Sequence, residues 1–174
     1  PLRRQRQMCI RDRLAAAGVE VARRVITRSA EAKGEAAQGV TAEQFETLRE
    51  QGAFAMCWWA NGLGYGIPRQ VDEWLAAGKA VLVNGSRAYL PEARQRYPDM
   101  LAVLVEVRPE VLRQRLLARG RESVEEVEQR LARSARLQVL SDPSVHVLDN
   151  STSLEAAVAA LFGLLRDEGV LPPV

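Results

Sequence analysis

A cluster of arginines in segment 112–136 contains the residues best suited to chemistry. Arg119 and Arg121 flank a glycine at which a helix is expected to break, so the chain can fold over a ligand there. Arg130 and Arg133 lie three residues apart on the helix predicted to follow, which places them on one face. Guanidinium groups bind phosphate oxygens through paired hydrogen bonds. The segment therefore predicts a phosphate-binding cover, although arginines that merely solvate exposed helices beside glutamates are the alternative.

Polar residues that could complete such a site lie in four other segments. The string ITR at 26–28 ends a predicted strand and is followed by a loop that carries Glu35. The string ANGLGYG at 60–66 is rich in turn residues, and VNGSR at 83–87 begins where a buried strand is expected to end. Open α/β sheets bind ligands at the carboxyl ends of their strands. The predicted binding residues are Arg28, Glu35, Asn61, Tyr65, Gly66, Asn84, Ser86 and Arg87.

The elements that position these residues alternate between predicted strands and predicted helices, which indicates an α/β fold with a mainly parallel sheet. The strands are predicted at 19–27, 54–60, 80–83, 101–107 and 145–148. The runs AVLV at 80–83 and LAVLVEV at 101–107 are almost continuously apolar, as in strands covered by helices on both faces. They are predicted to form the centre of the sheet.

Helix starts are predicted from capping-box spacing and from a proline. The three capping boxes are Thr41 with Gln44, Ser123 with Glu126, and Thr152 with Glu155. Pro109 is expected to open a fourth helix, because its fixed φ and missing N–H are harmless in a first turn. The apolar stripe expected to face the core on the arginine-rich helix consists of Val124, Val127, Leu131 and Ala135.

Composition narrows the class of protein. The chain has 174 residues, of which 47% are hydrophobic and 26% charged, as expected for one globular domain. Its net charge is +2, but the first 13 residues alone carry +4, so the remainder carries −2 and is not a nucleic-acid binder by bulk charge. Two cysteines and one histidine provide no disulfide framework and no metal-ligand spacing, which favours the cytoplasm. No apolar run reaches the roughly 20 residues of a membrane span.

The order of these motifs resembles that of the guanylate-kinase-like nucleotide kinases. ITR and GE, then YG, then a buried strand, then RG with a following RL occur in the same sequence over nearly the whole chain. The resemblance implies a P-loop NTPase-like parallel sheet with acceptor-binding and lid insertions. It also implies that Arg28 and Tyr65 hold the phosphate of the acceptor and that Arg119 and Arg130 attend the transferred phosphoryl group. By the same resemblance Asn150 lies near the adenine of ATP, with a cap or turn role as the alternative.

Within that group, several departures argue against a purine acceptor. The strand before YG reads FAMCWWAN and has no carboxylate to bind guanine, and Asn84 and Ser86 replace the acidic residues expected after the next strand. The strings WANGLGYG, VNGSR, RLLARGRE and RLARSAR instead resemble the ribose 1,5-bisphosphate phosphokinases of phosphonate breakdown. That resemblance implies ATP- and Mg²⁺-dependent phosphorylation of the sugar 1-phosphate, which needs no general base because the acceptor is already anionic.

The glycine-rich nucleotide loop of such kinases, GxxxxGK[ST], does not occur in the sequence. We expect residues 1–13 to be non-native or disordered, residues 14–168 to be the kinase domain and residues 169–174 to be a tail. We also expect the chain as given to bind ATP poorly and to lack turnover. A guanylate kinase and a non-catalytic guanylate-kinase-like binding domain remain as alternatives, and the sequence does not predict the oligomeric state.

Overall fold

The computed structural model describes residues 3–28, 37–138 and 142–174. These residues fall into two compact units. The first, here called the N-terminal unit, consists of Gln7–Asp99, and the second, here called the C-terminal unit, joins the first six residues to Met100–Val174. The helices are α1 Arg3–Ala16, α2 Ala42–Glu50, α3 Gln70–Ala76, α4 Leu90–Arg96, α5 Pro109–Arg119, α6 Val124–Gln138 and α7 Leu154–Asp167. The strands are β1 Glu20–Val21, β2 Val25–Thr27, β3 Gln38–Val40, β4 Phe54–Ala60, β5 Leu63–Pro68, β6 Val81–Leu82, β7 Ala102–Glu106 and β8 Val145–Asp149.

The N-terminal unit contains a four-stranded sheet in the order β3-β2-β5-β4. Strand β2 runs parallel to β3 but antiparallel to β5, and β4 and β5 form an antiparallel hairpin. Only Asn61 and Gly62 connect the two hairpin strands, and both have positive φ, of 52° and 75°. This is the Asn-Gly turn whose twist matches that of the flanking strands. The short parallel pair β1–β6 forms a second sheet, with Lys79 bonded to Glu20 beside it at 2.7 Å.

Helix α2 packs on the hairpin through aromatic rings that lie against glycines. The Phe45 and Phe54 ring centroids are 4.9 Å apart, and a Cβ placed at Gly66 would stand 2.4 Å from the Phe54 ring. A Cβ at Gly64 would meet the Phe45 ring at 3.0 Å. The two glycines of β5 therefore let the phenylalanine rings reach the backbone of the sheet.

The C-terminal unit is built on the parallel pair β7–β8, with Ala102 opposite Val145. Its helices α5 and α6 pack together through Leu112, Leu116, Val127 and Leu131. Gly120 ends α5 in the left-handed conformation, with φ of 61°, which allows the chain to turn into α6. Ser151 is buried, and its hydroxyl accepts a hydrogen bond from the Arg108 backbone N–H at 2.8 Å, tying the segment after β8 to the segment after β7.

Several predicted elements are confirmed. The strand 54–60 has the predicted bounds, and Pro109 is the first residue of α5. Thr41 and Gln44 exchange both capping-box bonds, and Ser123 and Glu126 do the same. Residues 3–13 of the segment that the sequence set apart lie in α1, and the origin of that segment stays a prediction.

The predicted single strand at 19–27 is wrong. Residues 20–21 pair with β6, whereas residues 25–27 pair with β3 and β5, so the chain passes from one sheet to another between them. The backbone shows how: the Ala22 N–H donates to Leu82 and the Arg24 carbonyl accepts from Gln38. An apolar run alone cannot reveal a change of partner strand.

The third capping box is also wrong, and the apolar stripe is confirmed only at Val127 and Leu131. The N-cap of α7 is Ser153, whose hydroxyl accepts from the Ala156 N–H, while the Thr152 carbonyl accepts from Arg115. On α6 only the middle of the stripe is buried, because α5 covers only that part. Val124, in the first turn, is 61% exposed and Ala135 is exposed as well.

The strands expected to be covered on both faces are less buried than predicted. The run 80–83 contributes only two strand residues, both partly buried, and Val105 of β7 is 49% exposed. Among the described residues, β6 pairs only with β1 and β7 pairs only with β8, so each forms a two-stranded sheet. The sequence had predicted that the two runs would form the centre of one sheet. Within the described ranges, no helix is both long enough and apolar enough to cross a membrane.

Candidate functional site

An open pocket of about 600 Å³ surrounds the end of β2 in the N-terminal unit. Thr27 and Arg28 form one part of its lining, and Trp59, which is 53% exposed, forms another. Arg28 is partly buried and brings a positive charge to this lining. The pocket therefore combines a cation with an indole ring, a pairing suited to a phosphorylated ligand that has an apolar face.

The start of α2 borders the same pocket, but its polar side chains already have partners. The Thr41 hydroxyl accepts from the Gln44 N–H at 3.1 Å, and the Gln44 side-chain oxygen accepts from the Thr41 N–H at 3.0 Å. Thr27 is likewise engaged, since its hydroxyl accepts from the Gly64 N–H at 2.7 Å. Among these lining residues, Arg28 is the one that brings a positive charge.

Tyr65 lies in a separate cluster of aromatic rings. Its ring stacks on Trp58 with 5.7 Å between the centroids and 9° between the planes, and Trp58 stacks on Tyr89 at 5.3 Å. Burial raises the pKa of Tyr89 above its usual value, so its hydroxyl stays neutral over the ordinary pH range. The strand register explains the separation from Trp59, because successive residues of β4 point to opposite faces of the sheet.

Arg24 links this aromatic cluster to the predicted polar segment after β6. Its guanidinium carbon stands 4.9 Å from the centre of the Tyr65 ring, and its Nη1 donates to the Asn84 carbonyl at 3.3 Å. Two predicted acceptor residues, Tyr65 and Asn84, thus share one arginine that the sequence analysis did not single out. In the structure Arg24 immediately precedes β2, the strand that Arg28 follows, whereas the sequence placed it inside a predicted strand at 19–27 and so gave no signal.

The remaining predicted acceptor residues have mixed placements. Asn61 is exposed at the tip of the hairpin, where its positive φ serves the turn, and Gly66 is buried against Phe54. The Ser86 carbonyl accepts from the Tyr89 N–H at 3.2 Å, and Arg87 is exposed. Glu35 lies outside the described residues. A binding role for these residues stays a prediction.

The four predicted lid arginines belong to the C-terminal unit and occupy the end of α5, the connection to α6, and α6 itself. Arg130 is paired with Glu122, with 2.7 Å between Nη1 and Oε1, and its side chain is 35% exposed. The other oxygen of Glu122 is buried and has no hydrogen-bond partner among the described residues. Arg119 is partly buried, whereas Arg121 and Arg133 are exposed.

Asn150, predicted to lie near adenine, is held through its backbone. Its N–H donates to the Glu106 carbonyl at 2.8 Å, and its carbonyl accepts from Arg115 at 2.6 Å. The hydroxyl and N–H of Ser151 lower the pKa of Asp149, the residue before Asn150. Arg115 is therefore an anchor for the segment after β8, a role that the crowd of arginines in the sequence did not reveal.

No group of three or more His, Cys, Asp or Glu side chains is positioned to hold a metal ion within the described ranges. Mg²⁺ in phosphoryl-transfer enzymes is held largely by substrate phosphates, water and one or two carboxylates, so an ion bound in this way does not require such a group. The use of Mg²⁺ stays a prediction.

Comparison with known proteins gives closely similar relatives. No protein-family model matches the chain. It is 62% identical to ribose 1,5-bisphosphate phosphokinase PhnN of Pseudomonas paraeruginosa over 155 residues, covering 89% of this chain and 84% of that protein. It is 58% identical to the PhnN protein of the same name from Azotobacter vinelandii over 157 residues, covering 90% of this chain and 85% of that protein.

Among solved structures, the chain is similar to guanylate kinase from Anaplasma phagocytophilum. The TM-score is 0.68, and the match covers 92% of this chain and 81% of the other. The sequence identity is only 16%, so this likeness concerns the fold. The predicted α/β fold of the guanylate-kinase type is thereby confirmed.

Proposed function

The chain belongs to the ribose 1,5-bisphosphate phosphokinase family, and we propose that it transfers the γ-phosphoryl group of ATP to the 1-phosphate of ribose 1,5-bisphosphate. The products are 5-phospho-ribose 1-diphosphate and ADP. The observation that carries this proposal is the 62% identity to a protein of that name along 89% of the chain. The supporting features of the structure are the pocket at Arg28 and the arginines around α5 and α6.

The reaction requires positioning and charge neutralisation more than proton transfer. An oxygen of the 1-phosphate attacks the γ-phosphorus of ATP, and the bond between that phosphorus and the bridging oxygen of ADP breaks. The attacking phosphate is already anionic near neutral pH, so no side chain has to remove a proton. Arginines are well suited to stabilise the negative charge of the transferred group.

In this proposal the arginines divide into two groups. Arg28 binds the acceptor from the pocket in the N-terminal unit, with Trp59 as the apolar wall against the sugar. Arg119, Arg121, Arg130 and Arg133 attend the transferred phosphoryl group. Arg130 leaves Glu122 to do so; the two side chains are 35% and 25% exposed, and ion pairs in contact with water are weak.

ATP is the proposed donor, yet the sequence contains no GxxxxGK[ST] loop to cradle its phosphates. Such a loop supplies backbone N–H groups, a lysine and a hydroxyl group to the phosphates. Among the described residues we identify no group that takes their place. Asn150, which the resemblance places near adenine, uses its backbone within the protein. We therefore expect ATP to bind weakly to the chain as given.

We also expect the protein to act in the cytoplasm.

The test compares the chain as given with a version to which a strand and a GxxxxGK[ST] nucleotide loop have been added in front. Each is incubated with ATP and Mg²⁺ and with ribose 1,5-bisphosphate, ribose 5-phosphate or GMP. Phosphorus NMR follows the diphosphate product. We expect the loop-bearing version to form 5-phospho-ribose 1-diphosphate, and the chain as given to show no measurable turnover.

Arginine variants of the loop-bearing version assign the site. Replacing one preorganised donor in such sites typically lowers kcat about 10²-fold to 10³-fold, and we expect this for Arg130→Gln. Arg136→Gln, an exposed residue of the same helix, is the matched control and should retain activity. Preferential phosphorylation of GMP would contradict the proposed acceptor. Turnover by the chain as given would refute the expected need for the loop.

A further inference from the structure

We propose that the side-chain amide of Gln44 donates a hydrogen bond to a phosphate oxygen of the acceptor and is therefore a further binding residue of the site. This inference rests on the proposed function, because it takes the occupant of the pocket at Arg28 and Trp59 to be the acceptor. The supporting observations are the place of Gln44 in two cavities of the N-terminal unit and the hydrogen bond that fixes its amide.

Gln44 belongs to the lining of two open cavities. The cavity of about 600 Å³ at Arg28 and Trp59 and a second cavity of about 450 Å³ share three lining residues, which are Gly39, Val40 and Gln44. Gln44 is exposed, so a ligand in the larger cavity can contact its side chain.

The capping box at the start of α2 fixes the orientation of the Gln44 amide. The side-chain oxygen Oε1 accepts from the Thr41 N–H at 3.0 Å, and only the oxygen end of an amide can accept such a bond. The nitrogen Nε2 is attached to the same carbon, and within the described ranges no protein group accepts a hydrogen bond from it. Gln44 therefore presents N–H donors on the side of the amide that faces away from the Thr41 N–H.

The helix cap alone does not explain why this residue is a glutamine. A capping box accepts glutamate as readily as glutamine, and the helix dipole favours a carboxylate in the first turn. A glutamate would, however, bring a negative charge to a cavity that a phosphorylated ligand must enter. The neutral amide of Gln44 keeps the cap and offers donors to the ligand, which suits an anion.

The edge of the sheet supplies a second donor to the same cavities. Strand β3 is last in the order of its sheet, so one side of its backbone has no partner strand among the described residues. The Gln38 N–H donates to the Arg24 carbonyl and points toward β2, and because successive residues alternate, the Gly39 N–H points to the open edge. Gly39 has no side chain, so a ligand can approach this N–H closely. Among the described residues that line either cavity, none is an aspartate or a glutamate, so no negative charge opposes a phosphate there.

The experiment measures the binding of ribose 1,5-bisphosphate to the full chain by isothermal titration calorimetry, without ATP. Gln44→Glu keeps the capping box but replaces the donors by a negative charge, so we expect binding to weaken by about 10-fold or more. Gln44→Met removes the amide without adding a charge, and the loss of one neutral hydrogen bond should weaken binding by about 2-fold to 10-fold. Gln51→Glu, at the C-cap of the same helix and outside both cavities, is the matched control and should leave binding within about twofold.

Thermal unfolding separates a contact with the ligand from damage to the helix. Gln44→Glu should keep the melting temperature of the unaltered chain, because glutamate also completes the capping box, whereas Gln44→Met loses one of the two box bonds and should melt lower. Equal affinities of Gln44→Glu and Gln51→Glu, or unchanged binding in Gln44→Met, would overturn the inference and leave the proposed function standing. Failure of the unaltered chain to bind the bisphosphate would contradict the proposed function itself.

Discussion

At the scale of single residues, two motif positions have an explanation that the sequence did not reveal. Gly66 was predicted as a binding residue because it follows Tyr65, but in the structure it makes room for the Phe54 ring. Asn61 was predicted for the same site, yet its positive φ and its place in a two-residue turn account for its identity. Residue type and order identified the family, whereas packing partners distant in sequence could not be inferred from them.

Replacing Gly66 by alanine should destabilise the protein. The new methyl group would overlap the Phe54 ring, and overpacking of this kind costs about 1–3 kcal/mol. Urea denaturation measures the free energy of unfolding. Gly85→Ala is the control, because a methyl group there meets nothing within 4 Å and should change stability by less than about 0.5 kcal/mol. Equal stability of the two variants would show that Phe54 does not pack on Gly66 as described.

The Arg130–Glu122 pair should contribute little to stability. The two side chains are 35% and 25% exposed, and pairs in contact with water are worth about 0–1 kcal/mol. A double-mutant cycle with Glu122→Gln and Arg130→Gln, followed by urea denaturation, measures their coupling. A coupling above about 3 kcal/mol, typical of a buried pair, would mean that Arg130 cannot be released cheaply to a phosphate.

At the scale of elements, the sequence predicted strands and helix starts well where the deciding interactions are local. The strand 54–60 and the caps at Thr41 and Ser123 depend on neighbouring residues and are confirmed. The change of sheet within 19–27 depends on residues 38 and 82, so local patterning missed it. Strand β5 was read as a turn because its glycines, needed beneath the phenylalanine rings, are typical of turns.

Asp72 should make stability dependent on pH. Burial raises its pKa, but hydrogen bonds from Tyr97 and Arg96 outweigh burial and hold the pKa below its usual value. These bonds tie α3 to the end of α4. A carboxyl group with a lowered pKa stabilises the fold above the ordinary value and loses that effect as the pH falls through the folded-state pKa.

Asp72→Asn should therefore cost about 1 kcal/mol at pH 7, and the difference from the unaltered protein should shrink as the pH falls below about 4. Melting temperatures measured across this range test the expectation. Asp99→Asn, an exposed aspartate of the same unit, is the control. A difference between Asp72→Asn and the unaltered protein that stays constant down to low pH would contradict a role for the ionised carboxylate.

At the scale of the whole molecule, short sequence strings were sufficient to predict the family. The arrangement of the chain into compact units became visible only in the structure. WANGLGYG, VNGSR, RLLARGRE and RLARSAR resemble the ribose 1,5-bisphosphate phosphokinases, and the relatives confirm that family. The division into two compact units could not be predicted, since contacts between residues distant in sequence create it. The candidate residues follow this division. The predicted acceptor-binding residues belong to Gln7–Asp99, and the four predicted lid arginines belong to Met100–Val174.

The hairpin β4–β5 has a consequence for how the cluster of Trp58, Tyr65, Arg24 and Asn84 assembles. Its strands are joined by two residues, and hairpins of this kind form in about 1–10 μs. The β1–β6 pair instead joins Glu20 to Val81, and contacts between such distant residues form slowly. We therefore expect Trp58 and Tyr65 to meet early in folding, while Arg24 and Asn84, which flank the distant strands, complete the cluster in a late step. The ability to hold an acceptor would then be acquired only when the chain is nearly native.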